Sequence, residues 1–369
     1  MNPLIELQAY GQSFWYDNIR RKFLHDGSIQ SLIDDDGLQG MTSNPSIFEN
    51  AIGNSDDYDD QIAGLIGKGD TPAAVYEALA LVDIRAACDM FADLYESSKG
   101  GDGFVSLEVS PHLANNEAET IAEARRLYGA VNRPNVMIKV PATAEGIPAI
   151  AELIGDGINV NITLMFSMAH YEAVANAYLE GLTRLLARGG DPTKVASVAS
   201  FFVSRVDTAV DKQLEALNDP AAEALMGKAA IANSKIVYRR FKEIFHGEAF
   251  ERLRSAGAPV QRLLWASTST KNPSYPDTLY VDQLIGPETV NTMPPSTIEA
   301  FRDHGILTNA LEREIDDAQL VLDHLVELDI DLDEITEELQ SNGVAAFARS
   351  YDSLLNTIAQ KMAALAESD

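Results

Sequence analysis

The sequence predicts an α/β protein, a (β/α)8 TIM barrel with additional helices and a C-terminal helical extension. Three observations predict it. Short β-rich runs alternate with longer helical runs, the rhythm of βα units around a parallel sheet. Eight such β runs occur, the number that closes a barrel of this kind. The 369 residues exceed the roughly 250 of a bare barrel, which leaves room for further helices.

Taken in chain order, strands are expected at 13–17, 38–43, 104–109, 136–140, 158–164, 195–203, 262–267 and 289–292. The stretch 71–98 spaces Val75, Leu79, Val82, Ala86, Met90 and Leu94 by three or four, and Pro72 after Thr71 suits a helix start. Stretches 115–128, 143–154, 167–187 and 233–245 read in the same way. Past Asn309 the pattern is only helical. Residues 311–340 hold twelve acidic residues and one basic residue, Arg313. They read as a solvated helix face over a buried stripe of Ile315, Leu320, Leu322, Leu325 and Leu332, in preference to an acidic interaction tail. Asn342-Gly343 predicts a chain break, and 344–365 a terminal helix docked on the body. No repeat, low-complexity tract or linker is visible. The expected organisation is a single domain over 1–369, with the barrel core at about 10–309 and the helical extension at about 310–369.

Composition narrows the function. Lysine and arginine number 28 against 56 aspartate and glutamate, a formal charge of −28. Charged residues make up 23% and hydrophobic residues 46%, ordinary for a globular chain. The acidic excess argues against nucleic-acid and acidic-membrane partners, which need clustered basic residues. No apolar run is long enough for a membrane span, and the first residues lack the basic and apolar regions of a signal peptide. The expected location is cytoplasmic. The one cysteine, Cys88, excludes an intramolecular disulfide and reads as a buried helix residue. Six scattered histidines (His25, His112, His170, His246, His304 and His324) show no metal-binding spacing, so neither metal nor cofactor is expected. Trp15, Tyr275 and Tyr280 read as core or loop packing in preference to ligand stacking.

The chemistry lies on the strands, where alternate residues face the helices and the barrel interior. In Phe104-Val105-Ser106-Leu107-Glu108-Val109 the apolar face is Val105, Leu107 and Val109, and the other face carries Ser106 and Glu108. Val136, Ile138 and Val140 likewise leave Met137 and Lys139 inward; Val160, Ile162 and Leu164 leave Asn159, Asn161 and Thr163. The polar residues fall towards the C-terminal strand ends, where barrel enzymes keep their active sites. A buried lysine, glutamate and amide set on neighbouring strands is costly unless its members serve one another or a substrate. An amine taken out of water loses support for its charged form, and the free base attacks ketones to form a Schiff base. The resulting iminium accepts the electrons of a breaking C–C bond. Glu108 can move protons through water or through Thr163, and Asp17, ending the first strand, can act as base at the departing carbon's hydroxyl. A lysine-based aldol mechanism is therefore favoured over a metal-enolate one. A helix N-cap for 18–24 is the structural alternative for Asp17.

These residues resemble the transaldolase family. Thr42-Ser43-Asn44-Pro45-Ser46-Ile47-Phe48-Glu49-Asn50-Ala51-Ile52 resembles its TSNPxIFxxAI signature. The strands around Glu108, Lys139 (Met137-Ile138-Lys139-Val140-Pro141-Ala142-Thr143), Asn161 to Thr163 and Ser200 to Asp207 are similar to the family's in order and spacing. The tail looks like that of the longer bacterial members. The resemblance implies transfer of a dihydroxyacetone unit from sedoheptulose 7-phosphate to glyceraldehyde 3-phosphate, giving erythrose 4-phosphate and fructose 6-phosphate in the non-oxidative pentose phosphate pathway. Carried over by position, it implies Lys139 as nucleophile, Glu108 and Thr163 on a catalytic water, and Asp17 as general acid/base. Asn44 and Asn161 would bind the dihydroxyacetone moiety, and Ser200 and Arg205 the phosphate.

On the seventh strand the sequence departs from the family's Ala-Ser-Phe-Arg, reading Trp265-Ala266-Ser267-Thr268-Ser269-Thr270-Lys271. The phosphate role there passes to Lys271, with Ser269 or Thr270 assisting, and is weighed against a solvated loop lysine. The partners implied are small-molecule sugar phosphates, with monomer and homodimer both open. The rivals are an aldolase that releases free dihydroxyacetone from fructose 6-phosphate, a shorter group lacking a glutamate at the Glu108 position, and a non-catalytic sugar-phosphate-binding barrel.

Overall fold

The computed structural model of the chain describes residues 2–66 and 70–367. Eight parallel strands form a closed barrel in sequence order. They are β1 (Gln12–Asp17), β2 (Gly40–Thr42), β3 (Phe104–Glu108), β4 (Val136–Pro141), β5 (Val160–Met165), β6 (Ser197–Phe202), β7 (Arg262–Ala266) and β8 (Thr289–Met293). The ring closes through β8 and β1, from Gln12 opposite Thr289 to Tyr16 opposite Met293. Every expected strand is present, with ends that move by up to two residues. The alternation expected for β3, β4 and β5 makes them buried on both faces, as a parallel barrel requires. Register sets Glu108 opposite Lys139, Lys139 opposite Asn161 and Pro141 opposite Thr163. Three adjacent strands thus deliver their polar residues to one end of the barrel.

The helical ring follows from apolar spacing and from caps. Thr71, Asn116 and Ser167 each accept a backbone N–H with a side-chain oxygen at a helix start. The expected helix over 71–98 is two helices, Pro72–Met90 and Ala92–Ser97, with the buried Phe91 at the joint. Cys88 is fully buried on the first of them, and its thiol pKa is pushed up by desolvation. Trp15 and Tyr280 are core residues, and Trp15 donates its indole N–H to Asp102 at 2.7 Å inside the barrel. No helix among the described residues is long and apolar enough to cross a membrane.

The tail corrects two expectations. Leu320 is 52% exposed and contributes nothing to a buried stripe, which rests on Ala318 and Leu325, with Ile330 and Ile335 beyond them. Asn342-Gly343 is not a break: one helix runs from Leu332 to Ala366, 35 residues, through both. The glycine is there for close approach. A Cβ on Gly343 would lie 2.8 Å from Leu164 Cδ2. Leu164 itself is a non-glycine residue with φ 62°, in a register shift of β5 between Ile162 and Met165. That left-handed conformation costs about 1–2 kcal/mol. One turn before Gly343, Gln340 donates to the carbonyls of Ala142 and Leu164, both at 3.0 Å. Leu354 and Ile358, fully buried further along, contribute about 1.5–3 kcal/mol each. Lys361 pairs with Asp59 at 2.6 Å. The long helix is therefore a roof across the C-terminal ends of the strands.

Gly343→Val is expected to destabilise the fold by about 1–3 kcal/mol through overpacking on Leu164. Gly343→Ala should cost far less, because higher helix propensity offsets the tighter contact. Urea denaturation of the two variants checks this, and a valine variant as stable as the parent would show that the helix does not rest on Leu164.

Candidate active site

A cavity of ≈190 Å3 opens at the C-terminal end of the barrel, under the long helix. It is lined from seven of the eight strands and the roof, by Asp17, Thr42, Lys139, Thr163, Ser200 and Thr292 among others, with Phe347 above.

Lys139 lies at its centre on β4 and is 5% exposed. Its Nζ donates to the Ser43 carbonyl at 3.2 Å, sits 3.4 Å from Glu108 Oε2, and lies 5.6 Å from the Phe347 ring centroid. The Glu108 contact is an ion pair without good hydrogen-bond geometry, so this buried oxygen has no hydrogen-bond partner. Thr163 Oγ1, on the cavity wall, has none either. Burial raises the Glu108 pKa; the Lys139 charge opposes the rise, and the Asp17 charge adds to it.

Asp17 ends β1 at the same cavity. The helix that follows starts at Arg21 with Arg20 as its N-cap, so Asp17 caps nothing. Thr42 donates to Asp17 Oδ1 at 2.7 Å and also contacts Thr292 at 2.6 Å. Burial raises the Asp17 pKa against the opposing pull of Lys139, the Thr42 hydrogen bond and Lys271. Asn44 caps the helix Pro45–Gly53, accepting from Ile47 N at 3.0 Å, and lines the cavity beside Lys139. The signature residues Thr42 to Pro45 thus turn the chain from strand into helix at the lip of the site.

Asn161 sits one layer lower, fully buried. Its amide donates to Ser106 at 2.9 Å and accepts from Ser200 at 2.6 Å, which links β3, β5 and β6. Ser200 reaches the cavity, as do Arg205 and Lys271. Arg205 packs over the Phe202 ring at 5.2 Å, and burial lowers its pKa. Burial and then the Arg205 charge lower the Lys271 pKa. Lys271 donates to Ser269 at 2.6 Å, and Ser269 shares the cavity wall; Thr270 is turned to the Pro276 and Asp277 carbonyls. Arg205 and Lys271 therefore face one cavity despite the −28 net charge.

Of the nine residues singled out in the sequence, seven line the cavity; Glu108 pairs with the central lysine and Asn161 lies beneath. Sequence reasoning left Thr42 and Ser43 without a role, although both stand in the quoted signature. It missed Thr292, on the unremarked strand β8, and Phe347, in a helix with no motif. Among the described residues no group of three or more His, Cys, Asp or Glu could hold a metal ion.

Comparison with known proteins agrees with this geometry. The family model described as Transaldolase/Fructose-6-phosphate aldolase matches residues 14–358. A protein of Trichodesmium erythraeum named Transaldolase is 45% identical over 98% of both chains. Proteins of the same name from a Parafrankia species and from Thiobacillus denitrificans are each 47% identical, covering 99% and 97% of this chain and 99% and 100% of their own. A barrel whose fourth strand holds a buried lysine against a carboxylate, matched along nearly its whole length, belongs to the transaldolase/fructose-6-phosphate aldolase family.

Proposed function

We propose that the chain is a transaldolase, a transferase of aldehyde or ketone residues, moving dihydroxyacetone from sedoheptulose 7-phosphate to glyceraldehyde 3-phosphate in the cytoplasmic non-oxidative pentose phosphate pathway. The observation that carries this reading is the buried Lys139–Glu108 pair at 3.4 Å in a cavity that also holds Asp17 and two basic side chains.

The Lys139 amine attacks the ketone carbon and forms a C–N bond. The carbinolamine loses its hydroxyl as water, with Glu108 supplying the proton and Thr163 holding the water; both have an unpartnered buried oxygen for it. Asp17 takes the proton of the neighbouring carbinol, the C–C bond breaks, and its electron pair moves into the iminium to give an enamine. The aldehyde leaves. The enamine carbon then attacks the acceptor aldehyde, Asp17 returns the proton to the new alkoxide, and water releases the product from Lys139. Asn44 and the remaining amide hydrogen of Asn161 orient the dihydroxyacetone hydroxyls. Ser200, Arg205 and Lys271 hold the phosphate. Glu108 favours this reading over the free-dihydroxyacetone aldolase, since its carboxyl handles the water of each half-reaction.

We further propose that 1–369 form one domain, with the barrel core at about 10–309 completed by the extension at about 310–369. The buried Leu325, Leu354 and Ile358 support it.

Borohydride added with fructose 6-phosphate should fix a three-carbon adduct on the Lys139 peptide, and Lys139→Ala should abolish both adduct and transfer. Active protein without the adduct, or dihydroxyacetone released free instead of transferred, would overturn the reading. Glu108→Gln and Asp17→Asn should each lower kcat by about 10²–10⁴-fold. Because burial raises the base Asp17 above its ordinary 3.8, activity should fall with decreasing pH as Asp17 takes up a proton, at a midpoint above 3.8. An acid limb at or below that value would remove Asp17 as the base. A chain ended at residue 309 should fail to give a cooperatively folding barrel by circular dichroism; an intact melt would separate the extension from the domain.

A further inference from the structure

The helix Ser204–Leu217 carries Arg205 into the cavity and, two and six residues on, two buried carboxylates that the chemistry does not use. Asp207 accepts from the Ala230 N–H at 2.7 Å with one oxygen and from the Tyr280 hydroxyl at 2.9 Å with the other. Asp211, four residues later on the same helix face, accepts from the Gly227 N–H at 3.0 Å and from the Tyr275 hydroxyl at 2.8 Å. Each carboxylate thus joins the same two segments, the start of the helix Ala229–Phe245 and the far end of the loop after β7. The Tyr275 ring lies on Gly227, which has φ +71° and where a Cβ would stand 2.8 Å from Tyr275 Cζ.

That loop carries Ser267, Ser269 and Lys271, all on the cavity wall. Its near end is also tied to the Arg205 helix: Ser204 donates its N–H to the Ser267 carbonyl at 3.1 Å, and the two hydroxyls meet at 2.9 Å. Arg205 and Lys271 are like charges on one cavity wall and repel each other. The Asp17 carboxylate in the same cavity attracts Lys271, and the loop's anchors fix where the lysine stands between the two. Buried carboxylates are also a costly way to pack a helix, and apolar residues would serve packing as well.

We propose that Asp207 and Asp211, acting through Tyr280 and Tyr275, are positioning residues that clamp the Lys271 loop to the Arg205 helix, so that the two cations are preorganised around the substrate's phosphate. The inference rests on the phosphate role given above to Arg205 and Lys271. Preorganisation lowers the cost of binding without touching the bond-making atoms. The clamp therefore acts on affinity for phosphorylated substrates and leaves the chemistry at Lys139 alone.

The test compares Tyr275→Phe and Tyr280→Phe with Lys271→Gln in the full-length enzyme. Phenylalanine keeps each ring in place, and Tyr275 is only part-buried, so at least that variant retains the fold. Each tyrosine variant should raise KM for glyceraldehyde 3-phosphate and the inhibition constant of inorganic phosphate about tenfold, the scale of one hydrogen bond to a charged group. The kcat should stay within about twofold, and borohydride trapping of Lys139 with unphosphorylated dihydroxyacetone should be unchanged. In a Lys271→Gln background, Tyr275→Phe should add nothing further. If Lys271→Gln weakens phosphate binding and the tyrosine variants do not, or if they lower kcat and trapping together, the clamp is overturned. If Lys271→Gln itself leaves both constants unmoved, the phosphate reading falls first and the clamp with it.

Discussion

The structure is organised around one cost, that of holding an amine almost out of water at the mouth of the barrel. Lys139 meets this cost with three neighbours of different kinds: a carboxylate at 3.4 Å, a backbone carbonyl at 3.2 Å and the face of Phe347. None is a tight, saturating partner. A short, saturating pair would hold the amine against the carboxylate, whereas this looser set leaves Nζ open to an approaching carbon. The three neighbours come from β3, from the turn after β2 and from the C-terminal helix, so the barrel and its roof are both conditions of the lysine's state.

The same economy explains the layer below. Ser106, Asn161 and Ser200 form a hydrogen-bonded chain across β3, β5 and β6 that satisfies buried polar groups in pairs. Among the oxygens of the proposed site, those left without a partner are Glu108 Oε2 and Thr163 Oγ1, the groups proposed to handle water. Electrostatics are local in the same sense. The acidic excess does not exclude an anionic substrate, because Arg205 and Lys271 line one cavity, and charges at contact range outweigh the screened field of distant ones.

Much of this was legible in the sequence. Strand alternation around Glu108, Lys139 and Asn161 gave the inward set, since period-two patterning is decisive when one face is Val and Ile throughout. The eight-strand count and the helix start at Thr71-Pro72 followed from local chemistry. The tail was not legible to the same degree. Asn342-Gly343 carries the local signature of a stop, and only the contact with Leu164, some 180 residues earlier, makes glycine right for a continuous helix. Phe347 sits in an ordinary amphipathic pattern and acquires its place from where that helix lands. The Asp207 and Asp211 anchors are likewise invisible without their tyrosine partners, which lie more than sixty residues away.

The position of Phe347 has a consequence for how the protein is made. It follows all eight strands in chain order, so during synthesis Lys139 leaves the ribosome long before its cover does. The strands can begin to pair while that cover is missing, but the barrel is complete only once the last helix docks. The finishing of the site is then a late event of synthesis, and a chain interrupted before Phe347 would carry Lys139 without the apolar ceiling that covers it.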